Sequence, residues 1–165
     1  MTQALPPLLD EDQARFICGG VSISAAACRG AGLPSMARAT GCRVAADKRS
    51  ITILLSATAS AGLIDDVRRN GAIAVVFSLP ADHRTLQFKG GDARVVPLEP
   101  GDEALAERYV DAFAGGLAPL GYPTQVIRSV LACRADDLTA ISFTPSAGFL
   151  QTPGPDAGNA LRSGA

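Results

Sequence analysis

The stretch ITILLSATASAGLIDDVRRNGAIAVVFS, residues 51 to 78, contains the clearest structural signals in the chain. Its first five residues are apolar or β-branched, which is typical of a buried strand. Apolar residues then recur at helical spacing after Ser60, a favourable N-cap residue, and Asn70-Gly71 is a typical helix end. The nearly continuous apolar run from Ala72 to Ser78 predicts a second, central strand.

The sequence on either side of this stretch predicts hairpins. A strand over Val21–Ala27 precedes a glycine-rich turn and a strand that runs from Pro34 to about Val44. Another strand covers Thr85–Val96, in which Gly90-Gly91 predicts a bulge or a sharp bend. Because helices do not alternate regularly with these strands, we predict a mainly β fold with flanking helices and a small antiparallel barrel. The remaining predicted elements are three helices and a last strand: Leu9–Cys18, Asp102–Ala114, Pro123–Cys133 and Leu138–Thr144.

Length and composition predict one soluble domain. The 165 residues suit a single domain over residues 1–150, and the Gly/Pro-rich residues 151–165 are predicted to be a C-terminal arm or tail. The N-terminus lacks the pattern of a signal peptide, and no stretch has the roughly 20 apolar residues of a membrane span. Four cysteines without metal-ligand spacing and a single histidine predict no metal site. We therefore expect a cytoplasmic protein with no membrane partner.

The charge balance argues against a nucleic-acid partner but is uneven along the chain. The net charge is −1, whereas nucleic-acid binders usually have a basic excess. Residues 13 to 94 contain 11 basic and 5 acidic residues, and the rest of the chain contains 4 basic and 11 acidic ones. Two interpretations remain open: an anion-binding site in the middle of the chain, or solvated strand edges.

One group of residues has the composition of an anion site. Arg38 and Arg43 precede the strand that ends at Leu55, and Ser56 and Ser60 lie between that strand and the next helix. A helix N-terminus with free N–H groups and hydroxyls suits a phosphate, and guanidinium groups complete such a site. The alternative is that Ser60 only caps the helix and the arginines are only solvated. No nucleophile or acid–base motif is present, so the catalytic residues remain unknown.

These residues resemble the pyridoxamine-5′-phosphate-oxidase-like, FMN-binding split β-barrels. The resemblance extends from Leu33 to about Val96. Its four segments resemble, in order, the family's P-x-x-R-x-x-x-x-[KR] strand, aromatic-Thr-Asn-x-x-Ser turn, N-P-x-x-A-hydrophobic-x-F strand and R-Q-V-R-I-E-G strand. The segments in this chain are residues 34–43, 55–60, 70–77 and 84–90.

The resemblance implies a Greek-key, antiparallel six-stranded split β-barrel that binds FMN at the interface of a homodimer and oxidises or reduces a small molecule. Arg38, Arg43, Ser56 and Ser60 would then hold the FMN phosphate. Leu55 stands at the position of the family's aromatic residue. Two further residues, Thr85 and Gln87, would face the flavin ring.

The sequence also departs from the family pattern. Ala61-Gly62 stand where the family has Arg-Lys on the phosphate, and no tryptophan is present to hold pyridoxal phosphate. The resemblance therefore does not imply a true pyridoxamine-phosphate oxidase. The alternative hypothesis is a split barrel that binds haem, with His83 as its ligand, or a deazaflavin, or that has lost its cofactor.

Overall fold

The computed structural model describes residues 9–28, 30 and 32–161, which form two antiparallel sheets and the helices around them. The strands are β1 (Ser22–Ala27), β2 (Ser35–Arg38), β3 (Gly41–Val44), β4 (Ile51–Ser56), β5 (Ile73–Ser78), β6 (Thr85–Gly90), β7 (Arg94–Val96), β8 (Leu138–Phe143) and β9 (Ala147–Leu150). The helices are α1 (Glu11–Ile17), α2 (Ala61–Asn70), α3 (Asp102–Leu117) and α4 (Thr124–Val130), with short 3-10 turns over Ala118–Leu120 and Ala135–Asp137.

The sheet topology confirms the predicted antiparallel barrel. One sheet has the strand order β2-β1-β5-β6-β9 and the other has β3-β4-β8-β7. All six predicted strands are present, but two of them divide at a bend, so that β2 and β3, and likewise β6 and β7, lie in different sheets. The short strand β9 was not predicted. It pairs with β6 and extends the five-stranded sheet.

The first bend shows how a strand leaves one sheet for the other. The Ala39 N–H donates to the Ile23 carbonyl in β1 at 3.0 Å, whereas the Thr40 N–H donates to the Leu54 carbonyl in β4 at 2.7 Å. Two neighbouring residues thus bond to two different sheets. The chain therefore turns a corner between the sheets at Ala39 and Thr40, and this corner separates Arg38 from the strand that follows.

The core lies between the inner faces of the two sheets. Phe77 and Phe88 are fully buried there and meet edge to face, with ring centroids 6.2 Å apart. Helix α3 packs on the small sheet, where Ala106 joins a separate buried cluster with Leu54 and Ala140. This packing places the N-terminus of α3 beside β3.

The helix ends follow the sequence signals with two exceptions. Asp10 caps α1, which lies within the predicted helix Leu9–Cys18, and Gly71 ends α2 in the left-handed conformation with φ 69°. Ser60 occupies the predicted N-cap position of α2, but its side chain makes no capping hydrogen bond. Asp102 is the first residue of α3, not its cap, because Gly101 is the N-cap residue with φ 96°.

The described part of the C-terminal segment returns to the five-stranded sheet. The Gln151 N–H donates to the Thr85 carbonyl at 2.8 Å, and the Leu161 N–H donates to the Gly148 carbonyl at 2.8 Å. Residues 162–165 lie outside the described residues. Across residues 9–28, 30 and 32–161, no helix is long and apolar enough to cross a membrane.

Candidate functional site

The predicted site residues fall on two different parts of the barrel. Arg38, Thr85 and Gln87 belong to the five-stranded sheet, whereas Arg43 and the segment from Leu55 to Ser60 belong to the four-stranded sheet and its exit towards α2. Leu55 has no exposed surface and is part of the core. Its side chain therefore packs in the core and offers no surface to a ligand in this structure.

Arg38 and Gln87 lie in one row that crosses the five-stranded sheet. The register pairs Arg38 with Ser24, Ser24 with Val76, Val76 with Gln87, and Gln87 with Phe149. Three strand spacings separate Arg38 from Gln87, which is about 14 Å along the row. Side chains on neighbouring strands of one row share a face, so Arg38 and Gln87 share the outward face of this sheet.

The outward face of this sheet is lined by small side chains, and we call it the open face. Along β1, β5 and β6 the residues alternate between buried and partly exposed, and the partly exposed ones point away from the core. Thr85 lies at one end of the open face, where its hydroxyl oxygen is 2.8 Å from the hydroxyl oxygen of Ser78. The partly exposed small residues of the face are Ser22, Ser24, Ala26, Ala74, Val76, Ser78 and Thr85.

The Arg38 guanidinium has no acidic partner among the described residues. One guanidinium nitrogen donates to the Ser22 hydroxyl at 3.0 Å, and the group lies 5.8 Å from the ring centre of Phe113. These contacts fix the side chain but leave its charge uncompensated. An anion at this edge of the open face would find a charge-assisted donor in Arg38.

Arg43 is neutralised by two carboxylates. Its Nε donates to Asp102 at 2.9 Å and its Nη1 lies 2.9 Å from a carboxylate oxygen of Glu99. The Asp102 side chain is only 3% exposed and also accepts the Glu99 N–H at 2.8 Å. Arg43 therefore joins β3 to the start of α3, and its charge is already satisfied.

The turn between β4 and α2 binds an anion that belongs to the chain itself. Asp137 accepts a short hydrogen bond from the Ser56 hydroxyl, and it accepts the Thr58 N–H at 3.0 Å and the Thr58 hydroxyl at 2.7 Å. These bonds, the one from Ser56 above all, hold the pKa of the Asp137 carboxyl below its ordinary value. We call Ser56–Ser60 the serine turn.

Ser60 contributes its backbone but not its hydroxyl to the serine turn. Its N–H donates to the Ser56 carbonyl at 3.0 Å. Its Oγ is buried and has no hydrogen-bond partner among the described residues. A buried hydroxyl without a partner is uncommon in folded proteins and is costly, so it marks a place where a ligand group or a small rearrangement would be favourable.

The donors of the serine turn have the chemistry that a phosphate needs, because they already bind the carboxylate of Asp137. Hydroxyl and backbone N–H donors of the kind that bind Asp137 also bind phosphate oxygens. Arg134 lines the same open groove, where it pairs with Asp136 at 2.6 Å. The turn therefore has suitable donors and one internal acidic occupant.

Two carboxylates that contact predicted site residues were missed by the sequence analysis. Asp137 follows Asp136 as one of two adjacent charges typical of a helix or a turn, and its bond to Ser56 joins residues 81 positions apart. Asp102 was assigned to a helix cap, and its bond to Arg43 joins residues 59 positions apart. In the structure β8 pairs with β4 and Leu138 lies opposite Ser56, which brings Asp137 beside the serine turn. The strand pairing is the signal that would have identified Asp137.

A separate cavity of about 390 Å³ lies between α3 and α4. Glu103 and Glu107 line it together with Asp111, which pairs with Arg128. Thr40 also lines the cavity, and its buried hydroxyl has no partner among the described residues. None of the site residues predicted from the sequence lines this cavity.

Comparisons with known proteins identify the fold. No family model matches the sequence, and no curated protein matches it. HupZ of Group A Streptococcus superposes with a TM-score of 0.54 at 14% identity, covering 91% of this chain and 99% of that one. An F420 reductase superposes with a TM-score of 0.51 at 18% identity, covering 85% of this chain and 98% of that one.

A third solved structure, a candidate pyridoxamine 5′-phosphate oxidase of Lactobacillus delbrueckii, has a TM-score of 0.50 at 14% identity and covers 86% of this chain and 93% of that one. At such identities the likeness is one of fold. The fold implied by the sequence resemblance is therefore confirmed.

Proposed function

We propose that this chain binds a flavin, and specifically FMN. Its fold is that of the pyridoxamine-5′-phosphate-oxidase-related split barrels. We further infer that it is an oxidoreductase acting on a small molecule. The open face supports this proposal most directly. Arg38 lies at one edge of it and Gln87 about 14 Å away in the same row, with only small or apolar side chains between them. A flat ligand with an anionic end has matching groups there.

The flavin, when bound, supplies the hydride and electron transfer. The protein has to bind and orient it, which requires few acidic or basic side chains. Gln87 provides an amide on the open face, and Thr85 provides a hydroxyl whose position is fixed by Ser78 and by the His83 carbonyl at 2.9 Å. Arg38 provides the uncompensated positive charge.

We further propose that a second copy of the chain covers the open face and excludes water from the ligand. Exposed apolar side chains border this face on the strand β2 side. Leu33 is 93% exposed and Met36, within β2, is 69% exposed. Large apolar side chains at this level of exposure are typical of an interaction surface when they adjoin a site.

Purification without added cofactor tests the proposal. We expect a yellow protein with flavin absorbance, and mass spectrometry of the denatured supernatant should identify FMN. A protein that stays colourless, and whose addition leaves flavin fluorescence unchanged, would exclude flavin binding.

A variant tests the role of Arg38. Arg38→Ala should weaken FMN binding by about tenfold to a hundredfold, since a hydrogen bond to a charged group is worth roughly 1.5–3 kcal/mol. Arg69→Ala, which removes an exposed charge from α2, is the matched control and should bind FMN like the parent. Equal affinities in all three proteins would refute the assignment of Arg38. Arg43 is unsuitable for this test because its loss would leave Asp102 buried and unpaired.

A second candidate function is a split barrel that binds a deazaflavin or haem, or that acts without a cofactor. The neutralised Arg43 and the filled serine turn favour this candidate, since both lower the capacity for an FMN phosphate. For haem, the ligand would be His83, which is exposed in a loop with φ 62°. A Soret band that disappears in His83→Ala would support haem binding.

A further inference from the structure

We propose that Asp137 is an internal competitor for the phosphate group at the serine turn. This inference rests on the proposed flavin function and concerns the phosphate group of that ligand. The carboxylate takes three donors of the turn, namely the Ser56 hydroxyl and the N–H and hydroxyl of Thr58. A phosphate monoester at the turn would need these donors, so it binds only when the Asp137 side chain leaves.

The backbone and the side chain of Asp137 make hydrogen bonds to different groups. The Asp137 carbonyl accepts the Ala57 N–H at 2.7 Å, which fixes the 3-10 turn beside the end of β4. The side chain is only half-buried and lines an open groove. Because the main-chain bond does not depend on the carboxylate, the side chain can rotate out of the turn while the turn itself stays in place.

Burial separates Asp137 from the other internal carboxylate near the predicted site. Asp102, which neutralises Arg43, has 3% of its side chain exposed and is bonded to the backbone of Glu99. Displacing it would leave a charge buried, which is strongly unfavourable. Asp137 is the partner that a ligand can replace, and removal of its charge would leave Arg134 at the rim of a turn with free donors.

The consequence is a specific ligand preference. While Asp137 occupies the serine turn, the phosphate of FMN forms no hydrogen bonds with the donors of the turn, and the carboxylate repels it. In Arg38→Ala, which lacks the other proposed contact to the phosphate, FMN and riboflavin, which has no phosphate, should therefore bind with similar affinity. The ligand class that the occupied turn favours is a flavin without a phosphate at this position.

Two substitutions test this inference against a matched control. Asp137→Asn removes the charge at nearly constant shape, and Asp137→Ala removes the side chain. Asp136→Asn is the control, because it removes the same charge from the neighbouring residue, which contacts Arg134 and not the serine turn. Circular dichroism and thermal unfolding establish that each variant is folded, and titrations with FMN and riboflavin give the two affinities.

We expect both Asp137 variants to bind FMN at least about tenfold more tightly than the parent, with riboflavin affinity unchanged, since one charge-assisted hydrogen bond is worth about that factor. Asp136→Asn should keep the parent's ratio of FMN to riboflavin affinity. An unchanged ratio in the Asp137 variants would overturn the inference. An Arg38→Ala variant that still binds FMN at least about tenfold more tightly than riboflavin would also overturn it, because the occupied turn would then contribute to phosphate binding.

Inorganic phosphate distinguishes failure of this inference from failure of the flavin proposal. If no protein binds either flavin, the flavin proposal fails, but the serine turn can still be tested by thermal unfolding in phosphate and in chloride at equal ionic strength. A stabilisation by phosphate that is larger in Asp137→Asn than in the parent and in Asp136→Asn supports the internal competitor. Equal stabilisation in all three proteins refutes it.

Discussion

Asp102 illustrates how a single side chain can link two elements. Its carboxylate is bonded to Arg43 and to the Glu99 N–H, and it is almost completely buried. Asp102→Ala should lower the free energy of unfolding by about 3 kcal/mol, because it leaves a partly buried guanidinium without its main partner. Glu99→Gln is the matched control, since Glu99 is 63% exposed and its pair with Arg43 should contribute less than about 1 kcal/mol.

Urea unfolding of the two variants checks this expectation. Similar losses for Asp102→Ala and Glu99→Gln would show that Arg43 is held by the pair as a whole and not by Asp102. A loss in Asp102→Ala that disappears in Asp102→Asn would show that the hydrogen bonds matter more than the charge.

At the residue scale, the sequence could identify candidates but not their partners. The spacing of Arg38, Arg43, Ser56 and Ser60 indicated an anion site, and the structure does supply an anion at the serine turn. That anion is Asp137, and the partner of Arg43 is Asp102; both lie far away in sequence. Local spacing is informative about a helix or a strand, but it contains no information on which distant segment packs against a side chain.

At the element scale, Gly90 fixes the second corner between the sheets. A Cβ added there would lie 2.7 Å from Phe143 Cδ2 and 2.9 Å from the Thr144 carbonyl oxygen. Phe143 is a core side chain of β8, so neither neighbour can move easily. Gly90→Ala should therefore lower the free energy of unfolding by about 1–3 kcal/mol, the usual cost of overpacking.

The adjacent glycine provides the control. A Cβ at Gly91 would meet no atom within 4 Å. Gly91→Ala should leave stability within about 0.5 kcal/mol of the parent. If both variants lose the same stability in urea unfolding, backbone flexibility at the corner is responsible and close packing at Gly90 is not.

The elements themselves were largely predictable because their apolar periodicity is strong. Strands β4 and β5 and helix α2 lie within one or two residues of the predicted ranges. The corner at Ala39 and Thr40 was not predictable, since a strand that changes sheets keeps the same local pattern. Strand β9 escaped prediction because its four residues, Ala147–Leu150, pair with a distant strand and contain too few side chains to show an alternation.

At the scale of the whole molecule, the uneven charge of the sequence is partly resolved by pairing between its segments. Basic residues from the middle of the chain meet acidic residues from its two ends: Arg43 meets Glu99 and Asp102, Lys48 meets Glu11, and Arg84 meets Asp12. Neither interpretation of the charge excess, an anion site or solvated strand edges, included these internal pairs. Arg38 has no such partner among the described residues and remains the best candidate for an external anion.

The acid stability of the whole molecule should depend on Asp137. Its pKa is lowered in the folded state by bonds from Ser56 and Thr58, and these bonds are stronger to the ionised carboxylate than to its neutral form. A lowered folded pKa means that the bonds stabilise the fold above the unfolded value of about 4 and lose this effect as the pH falls through the folded pKa. Asp137→Asn should therefore be less stable than the parent at neutral pH, and the difference should shrink below about pH 4.

Urea unfolding of both proteins between about pH 7 and about pH 3 measures this difference directly. Asp92 and Glu11, whose pKa values are also lowered, are present in both proteins, so their contributions largely cancel. Asp136, whose pKa is lowered by Arg134 but raised by the neighbouring Asp137 charge, does not cancel in this way, and Asp136→Asn in both proteins removes its contribution. A difference that stays constant across the range would mean that Asp137 stabilises the fold by shape and not by charge. A difference that narrows only below about pH 4 ties the acid-sensitive stability to the same carboxylate that we propose as the competitor for phosphate.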